Sequence, residues 1–89
     1  MSVRDRLVAL LCIHRGLSEA GLALHDDALL DELITLVVED KLDEFENRLV
    51  EYYGEENRSR ITRARRVVEE CLAEAEGRRE ERREEAKPA

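Results

Sequence analysis

Residues 27–54 read DALLDELITLVVEDKLDEFENRLVEYYG, and the spacing of their apolar side chains is that of an α-helix. Placed at 100° intervals, these side chains form one continuous stripe made of Leu30, Ile34, Val37, Val38, Leu42, Phe45, Leu49 and Tyr52. This is the helical period and not the two-residue period of a strand. The spacing therefore predicts one long helix, helix 2, which begins after a capping aspartate and ends at Gly54.

Two further helices are predicted on either side of helix 2. Ser2 is a favourable N-cap for helix 1, and Gly16 is a residue type that often follows a helix end. Helix 3 follows the Gly54 turn, and its apolar face disappears after Gly77. The predicted boundaries are helix 1 at about 3–15, a connection at 16–25, helix 2 at about 27–53, helix 3 at about 57–77 and a charged tail at 78–89, helical at first and then disordered.

The composition supports an all-α fold in a single domain. The chain has 89 residues, which leaves no room for a second core. It is 42% charged and 3% aromatic, which is typical of helical bundles and coiled coils. We therefore expect a small three-helix domain at residues 1–77, in which helices 2 and 3 form a long hairpin and helix 1 packs across it.

The amino-terminal half carries more apolar surface than a three-helix arrangement can bury. The run LVALLCI at 7–13 is apolar on every face, and a second apolar stripe follows the first half of helix 2. Exposing such side chains costs about 1.5–3 kcal/mol each. The sequence therefore predicts a partner, most simply a second copy in a two-fold dimer, or else a larger protein. A monomer in which residues 17–25 cover the surface is the remaining alternative. The predicted interface residues are Leu7, Leu10, Leu11, Leu29, Leu33 and Leu36.

Five arginines lie within residues 58–66, in a chain whose net charge is −7. In a hairpin that turns at Gly54, the residue numbers of two facing positions add up to about 109. This predicts the pairs Glu51–Arg58, Glu44–Arg65 and Asp43–Arg66. Pairing with carboxylates of the same chain or of a protein partner is therefore the favoured interpretation. The alternative is contact with nucleic-acid phosphates through Arg58, Arg63, Arg65 and Arg66. The acidic pI of about 4.9 and the absence of interleaved aromatic residues count against it.

The two cysteines, Cys12 and Cys71, are far apart in the sequence and belong to no metal-binding motif. They are interpreted either as small buried core residues or as a disulfide that joins the first and last helices. The apolar run at 7–13 is too short to span a bilayer, and no signal-peptide cleavage site follows it. We therefore expect a cytoplasmic protein without a membrane segment.

Catalytic and metal-site patterns are missing from the sequence. His14 and His25 lack the spacing to other ligands that a closed metal site needs, and no phosphate-binding loop or nucleophile motif occurs. We expect no cofactor, no small-molecule substrate and no enzymatic activity. The favoured interpretation is a small acidic helical adaptor or accessory subunit that self-associates or docks on a larger protein. The alternative is a nucleic-acid-associated regulator, of the transcription-factor or antitoxin kind.

Overall fold

The computed structural model describes the backbone of residues 2–86 and the side chains of residues 2–77. Within residues 2–86 the chain forms four α-helices, and the all-α class is confirmed. Their bounds are α1 at Val3–Glu19, α2 at Asp27–Val38, α3 at Leu42–Tyr53 and α4 at Arg58–Ala86, with a short 3₁₀ turn at Glu55–Asn57 before α4. The expected three-helix arrangement therefore becomes a four-helix one.

Helix α1 begins as the sequence predicts but continues past its predicted end. The Ser2 side chain accepts a hydrogen bond from the Asp5 backbone N–H at 3.1 Å and caps the helix. Gly16 does not end α1, because it lies inside the helix and is buried. The helix ends at Glu19 instead, and the turn that follows it uses Gly21, where φ is +72°, with the Leu22 N–H donating to the Leu17 carbonyl at 2.8 Å.

The predicted helix 2 is divided by a turn at residues 39–41. Asp40 adopts a left-handed conformation with φ of +60°, and the Lys41 N–H donates to the Leu36 carbonyl at 2.8 Å. This is the usual hydrogen bond of a glycine-terminated helix, made here around an aspartate, a residue type that tolerates the left-handed region. The turn redirects the chain, so that α2 and α3 become separate sides of the bundle.

Helix α4 is longer than the predicted helix 3. It starts within the predicted range and continues through Gly77 to Ala86. Residues 78–86 of the predicted tail are therefore helical, and residues 87–89 of that tail lie outside the described residues.

The four helices form a ring in which each contacts two neighbours: α1 with α2, α2 with α3, α3 with α4, and α4 with α1. Helix α1 runs antiparallel to α4, because Cys12 lies beside Cys71 while Gly16 lies beside Ala64. The centre of the ring is one hydrophobic core, whose fully buried large side chains are Phe45, Ile13, Leu33, Leu49, Ile61, Val68 and Cys12.

The structure answers the question that the two cysteines left open. Cys12 of α1 and Cys71 of α4 form a disulfide, with their Cα atoms 5.5 Å apart. The bond joins positions 59 residues apart in the sequence and fixes α1 against α4. Disulfides are uncommon in the cytosol of most organisms, so this bond runs against the expected cytoplasmic location, which stays a prediction.

The division of predicted helix 2 into α2 and α3 also removes the reason for expecting a partner at part of the predicted interface. Leu29 and Leu33 are buried within a single chain, and Leu10 and Leu36 are half-buried against the core. The expectation that a second chain covers Leu29 and Leu33 is wrong, whereas Leu10 and Leu36 are only partly buried and their place in an interface stays a prediction. The turn at Asp40 provides the fourth side of the ring in which Leu29 and Leu33 are buried.

Candidate docking surface

Helix α1 has one buried face and one exposed face. Its buried face, which includes Cys12, Ile13 and Gly16, packs into the core. On the opposite side, Val3, Leu7 and Leu11 are 76%, 54% and 66% exposed. These residues are four apart, so they form one row along the helix, which we call the outer stripe. The other large hydrophobic side chain exposed among residues 2–77 is Tyr52, at 43%.

The outer stripe keeps only part of the interface that the sequence predicts. Leu7 and Leu11 belong to it, whereas Leu10, Leu29, Leu33 and Leu36 do not. Val3 was not among the predicted residues, although its position four residues before Leu7 is a signal that could have identified it. The exposed apolar row is therefore narrower than the predicted interface and lies on α1.

A groove of about 580 Å³ lies beside the outer stripe. Its apolar floor comes from all four helices, and consists of half-buried and buried side chains: Val8, Ala9, Val37, Val38, Leu42, Leu72 and Ala75. Sequence reasoning missed this groove, because it exists only where the turn at Asp40 brings the end of α2 and the start of α3 against the α1–α4 pair.

The rim of the groove is acidic. Four carboxylates, Asp5, Asp40, Glu69 and Glu76, surround it together with one guanidinium, that of Arg4. Glu69 is held by Arg65 at 2.9 Å. Asp5, Asp40 and Glu76 form no ion pair with any side chain among residues 2–77. These carboxylates give the rim of the groove its negative charge.

The flanks of the outer stripe are basic. Arg4, His14 and Arg15 are exposed on the same side of α1 as Leu7 and Leu11. Arg15 pairs with Glu74 at 3.3 Å and with Glu19 at 3.9 Å. Within residues 2–77, Arg4 and His14 have no ion pair. The outer stripe is therefore an apolar row with basic neighbours, whereas the groove beside it is an apolar floor with acidic neighbours.

Among the clustered arginines, Arg65 is the most strongly engaged by carboxylates. Its guanidinium lies 2.7 Å from Asp43, 3.5 Å from Glu46 and 2.9 Å from Glu69. The hydrogen bonds to Glu69 and Asp43 raise the pKa of Arg65 above its ordinary value. The predicted partner, Glu44, is one residue away from the observed Asp43. This network joins α3 to α4 and leaves little of the Arg65 charge for a phosphate.

The remaining predicted arginine contacts also differ from the structure. Arg58 pairs with Glu55 at 3.0 Å in the adjacent turn, not with Glu51. This hydrogen bond to Glu55 raises the pKa of Arg58. Arg63 and Arg66 are exposed and have no ion pair among residues 2–77, because the carboxylate predicted for Arg66 is taken by Arg65. The Arg65–Asp43 contact differs by one residue from the predicted pairing, whereas the Arg58–Glu55 contact is local and lies at the start of α4.

Comparisons with known proteins add no functional label to this geometry. The chain matches no protein-family model, no curated protein and no solved structure. In the described part of the chain, no helix has the length and apolar character needed to cross a membrane. No group of three or more His, Cys, Asp or Glu side chains among the described residues is arranged to hold a metal ion.

Proposed function

We propose that the chain is a non-catalytic protein-interaction module that docks on another protein chain through the outer stripe of α1. The observation that carries this proposal is the common exposure of Val3, Leu7 and Leu11 on one face of a helix whose opposite face is fixed in the core. The groove beside the stripe is lined only by aliphatic, acidic and arginine side chains.

The energetics of burial support docking at this face. Removing a Val or Leu side chain from water contributes about 1.5–3 kcal/mol, and the outer stripe offers three such side chains in a row. Because α1 is held by the disulfide and by its buried face, the stripe is already in position before a partner arrives. A preorganised surface loses less conformational entropy on binding than a flexible one.

Site-specific photocrosslinking in the cells that naturally make the protein tests this proposal. A photoreactive amino acid is placed at Leu7 or Leu11, and in a control variant at Glu51, which is exposed on α3. We expect protein adducts from positions 7 and 11 and none from position 51. The adducts are analysed by mass spectrometry and counted as self-adducts or adducts with other proteins. Adducts absent from positions 7 and 11, or equally frequent at position 51, would contradict the proposal.

The nucleic-acid alternative receives less support from the structure. Arg58 and Arg65 pair with carboxylates, whereas Arg60, Arg63 and Arg66 are exposed and have no ion pair among residues 2–77. We therefore expect no saturable binding of labelled duplex or single-stranded DNA or RNA in fluorescence anisotropy at low salt, where phosphate contacts are strongest. Binding that falls steeply with salt, and that is lost in an Arg60→Gln, Arg63→Gln, Arg66→Gln triple variant, would restore the alternative.

A further inference from the structure

We propose that the chain docked on the outer stripe is a second copy of the same protein. In this two-fold dimer, the outer stripe of each copy packs across the partner helix and reaches into the groove of the other copy. The proposal rests on the proposed function and names its partner.

The stripe and the groove are adjacent on α1. Val8, which lines the groove, lies three positions before Leu11 and is therefore a surface neighbour of this residue of the outer stripe. A two-fold axis requires that the same patch of both subunits face itself, with every contact made twice. Since each copy carries both a stripe and a groove on this patch, a two-fold pairing can fill both grooves at once.

The charges of the two surfaces are complementary. The stripe has the guanidinium groups of Arg4 and Arg15 beside it, and Arg4 also stands at the rim of the groove, whose other charged residues are Asp5, Asp40, Glu69 and Glu76. Across a dimer, the Arg15 guanidinium beside one stripe and the rim carboxylates of the other groove attract one another. Charge complementarity of this kind selects the partner and the orientation of an interface. A second copy is therefore a partner whose chemistry fits the groove.

The direction of the helices places the opposite charges together. Because α1 and α4 are antiparallel, the amino-terminal end of α1, with Asp5, lies beside the part of α4 that carries Glu76. When two copies of α1 cross in an antiparallel sense around Leu7 and Leu11, the carboxyl-terminal end of one stripe approaches this end of the other groove. The exposed Arg15 side chain of one copy, which pairs with Glu74 and Glu19 of its own chain, then also approaches Asp5 or Glu76 of the other copy.

The outer stripe fits a common mode of helix packing. A row of residues four apart is the ridge that interlocks with an equivalent ridge at about −50°, the commonest helix-packing angle. A standard interface buries about 600–1,000 Å² per partner, so a dimer through this surface would bury the residues that flank the stripe as well as the stripe and the groove.

The first test is the mass of the purified, oxidised chain in sedimentation equilibrium from micromolar to hundreds of micromolar concentration. We expect a monomer–dimer equilibrium, and in Leu7→Gln and Leu11→Gln variants a dissociation constant raised about tenfold or more, since each Leu is buried twice in the dimer. A Tyr52→Gln variant, with its change on α3, is the matched control and keeps the wild-type constant. A wild-type chain that stays monomeric throughout, or a control that dissociates equally, overturns the proposal.

A charge-reversal experiment tests the arrangement itself. Arg15→Glu and Glu76→Arg variants each place like charges at both contacts of their own homodimer, so each is expected to dimerise more weakly than the wild type. A mixture of the two variants forms a heterodimer in which both contacts join opposite charges, and we expect it to recover dimer formation. Circular dichroism checks that each variant is folded. Absence of recovery in the mixture overturns the reciprocal arrangement.

Failure of this inference is distinguishable from failure of the proposed function. A monomeric chain whose positions 7 and 11 crosslink to a different protein in cells refutes the dimer and retains the interaction module. A chain without any crosslink at these positions refutes the interaction module as well. Crosslinks between copies at positions 7 and 11, together with recovery in the mixed variants, support both.

Discussion

Reduction of the Cys12–Cys71 disulfide is expected to lower the free energy of unfolding by about 4 kcal/mol. The bond closes a loop between positions 59 residues apart, and its removal releases an unfolded chain with many more conformations. The loop-entropy relation gives about 4 kcal/mol for a loop of this length. Domains of this kind have a total stability of about 5–15 kcal/mol, so the loss is a large share. Denaturant unfolding followed by circular dichroism, with and without reductant, measures it.

The control for this prediction is a Cys12→Ala, Cys71→Ala double variant, which keeps both positions apolar and has no bond to reduce. We expect the oxidised wild type to be the most stable, and the double variant to be insensitive to reductant. A wild type whose unfolding midpoint does not move in reductant, or a double variant that moves equally, would show that the bond does not provide this stability.

The sequence predicted the type of the elements better than the places where they end. The cap at Ser2 and the start of α2, where the Asp26 side chain accepts from the Leu29 N–H at 3.0 Å, follow from residue types that compete well for free backbone N–H groups. The turn at Asp40 could not be predicted in the same way. The sequence EDK contains no glycine or proline, and its apolar stripe continues across the turn without a change of phase.

Gly16 shows why one sequence signal led to a wrong boundary. A glycine after an apolar helical run is typical of a helix end, but it is also typical of a close contact between two helices. Only the position of α4 distinguishes the two cases. At Gly16 the reason is the contact with Ala64, whereas Gly21, where φ is +72°, lies in the turn that follows the helix end.

The candidate docking surface was predictable only in part, for a related reason. Leu7 and Leu11 are on a helix whose apolar residues occupy every face, and some of these residues have to remain outside a small bundle. Which residues remain outside depends on the number of neighbouring helices. In the ring of four helices, Leu29 and Leu33 are buried. The groove needs the relative placement of four helices, and local residue patterns contain no information about it.

Substitution of Gly16 by alanine is expected to destabilise the fold, although alanine is the better helix former by about 1 kcal/mol. A Cβ atom at this position would lie 2.6 Å from the Ala64 carbonyl oxygen and 3.0 Å from a methyl carbon of Val68. The first of these atoms belongs to the backbone of α4, so the two helices would have to move apart. Overpacking of this kind costs about 1–3 kcal/mol net, and thermal unfolding should detect a lower midpoint.

Gly77 provides the matched control for this substitution within the same protein. It also lies inside a helix, but a Cβ atom there would meet no atom within 4 Å. Gly77→Ala should therefore leave the midpoint unchanged or raise it, since only the gain of up to about 1 kcal/mol in helix propensity remains. A midpoint that falls in Gly16→Ala and rises in Gly77→Ala would assign the effect at Gly16 to the α1–α4 contact. Midpoints that change in the same direction in both variants would mean that α1 does not approach α4 as closely as the structure places it, and the disulfide would then be the main link between these two helices.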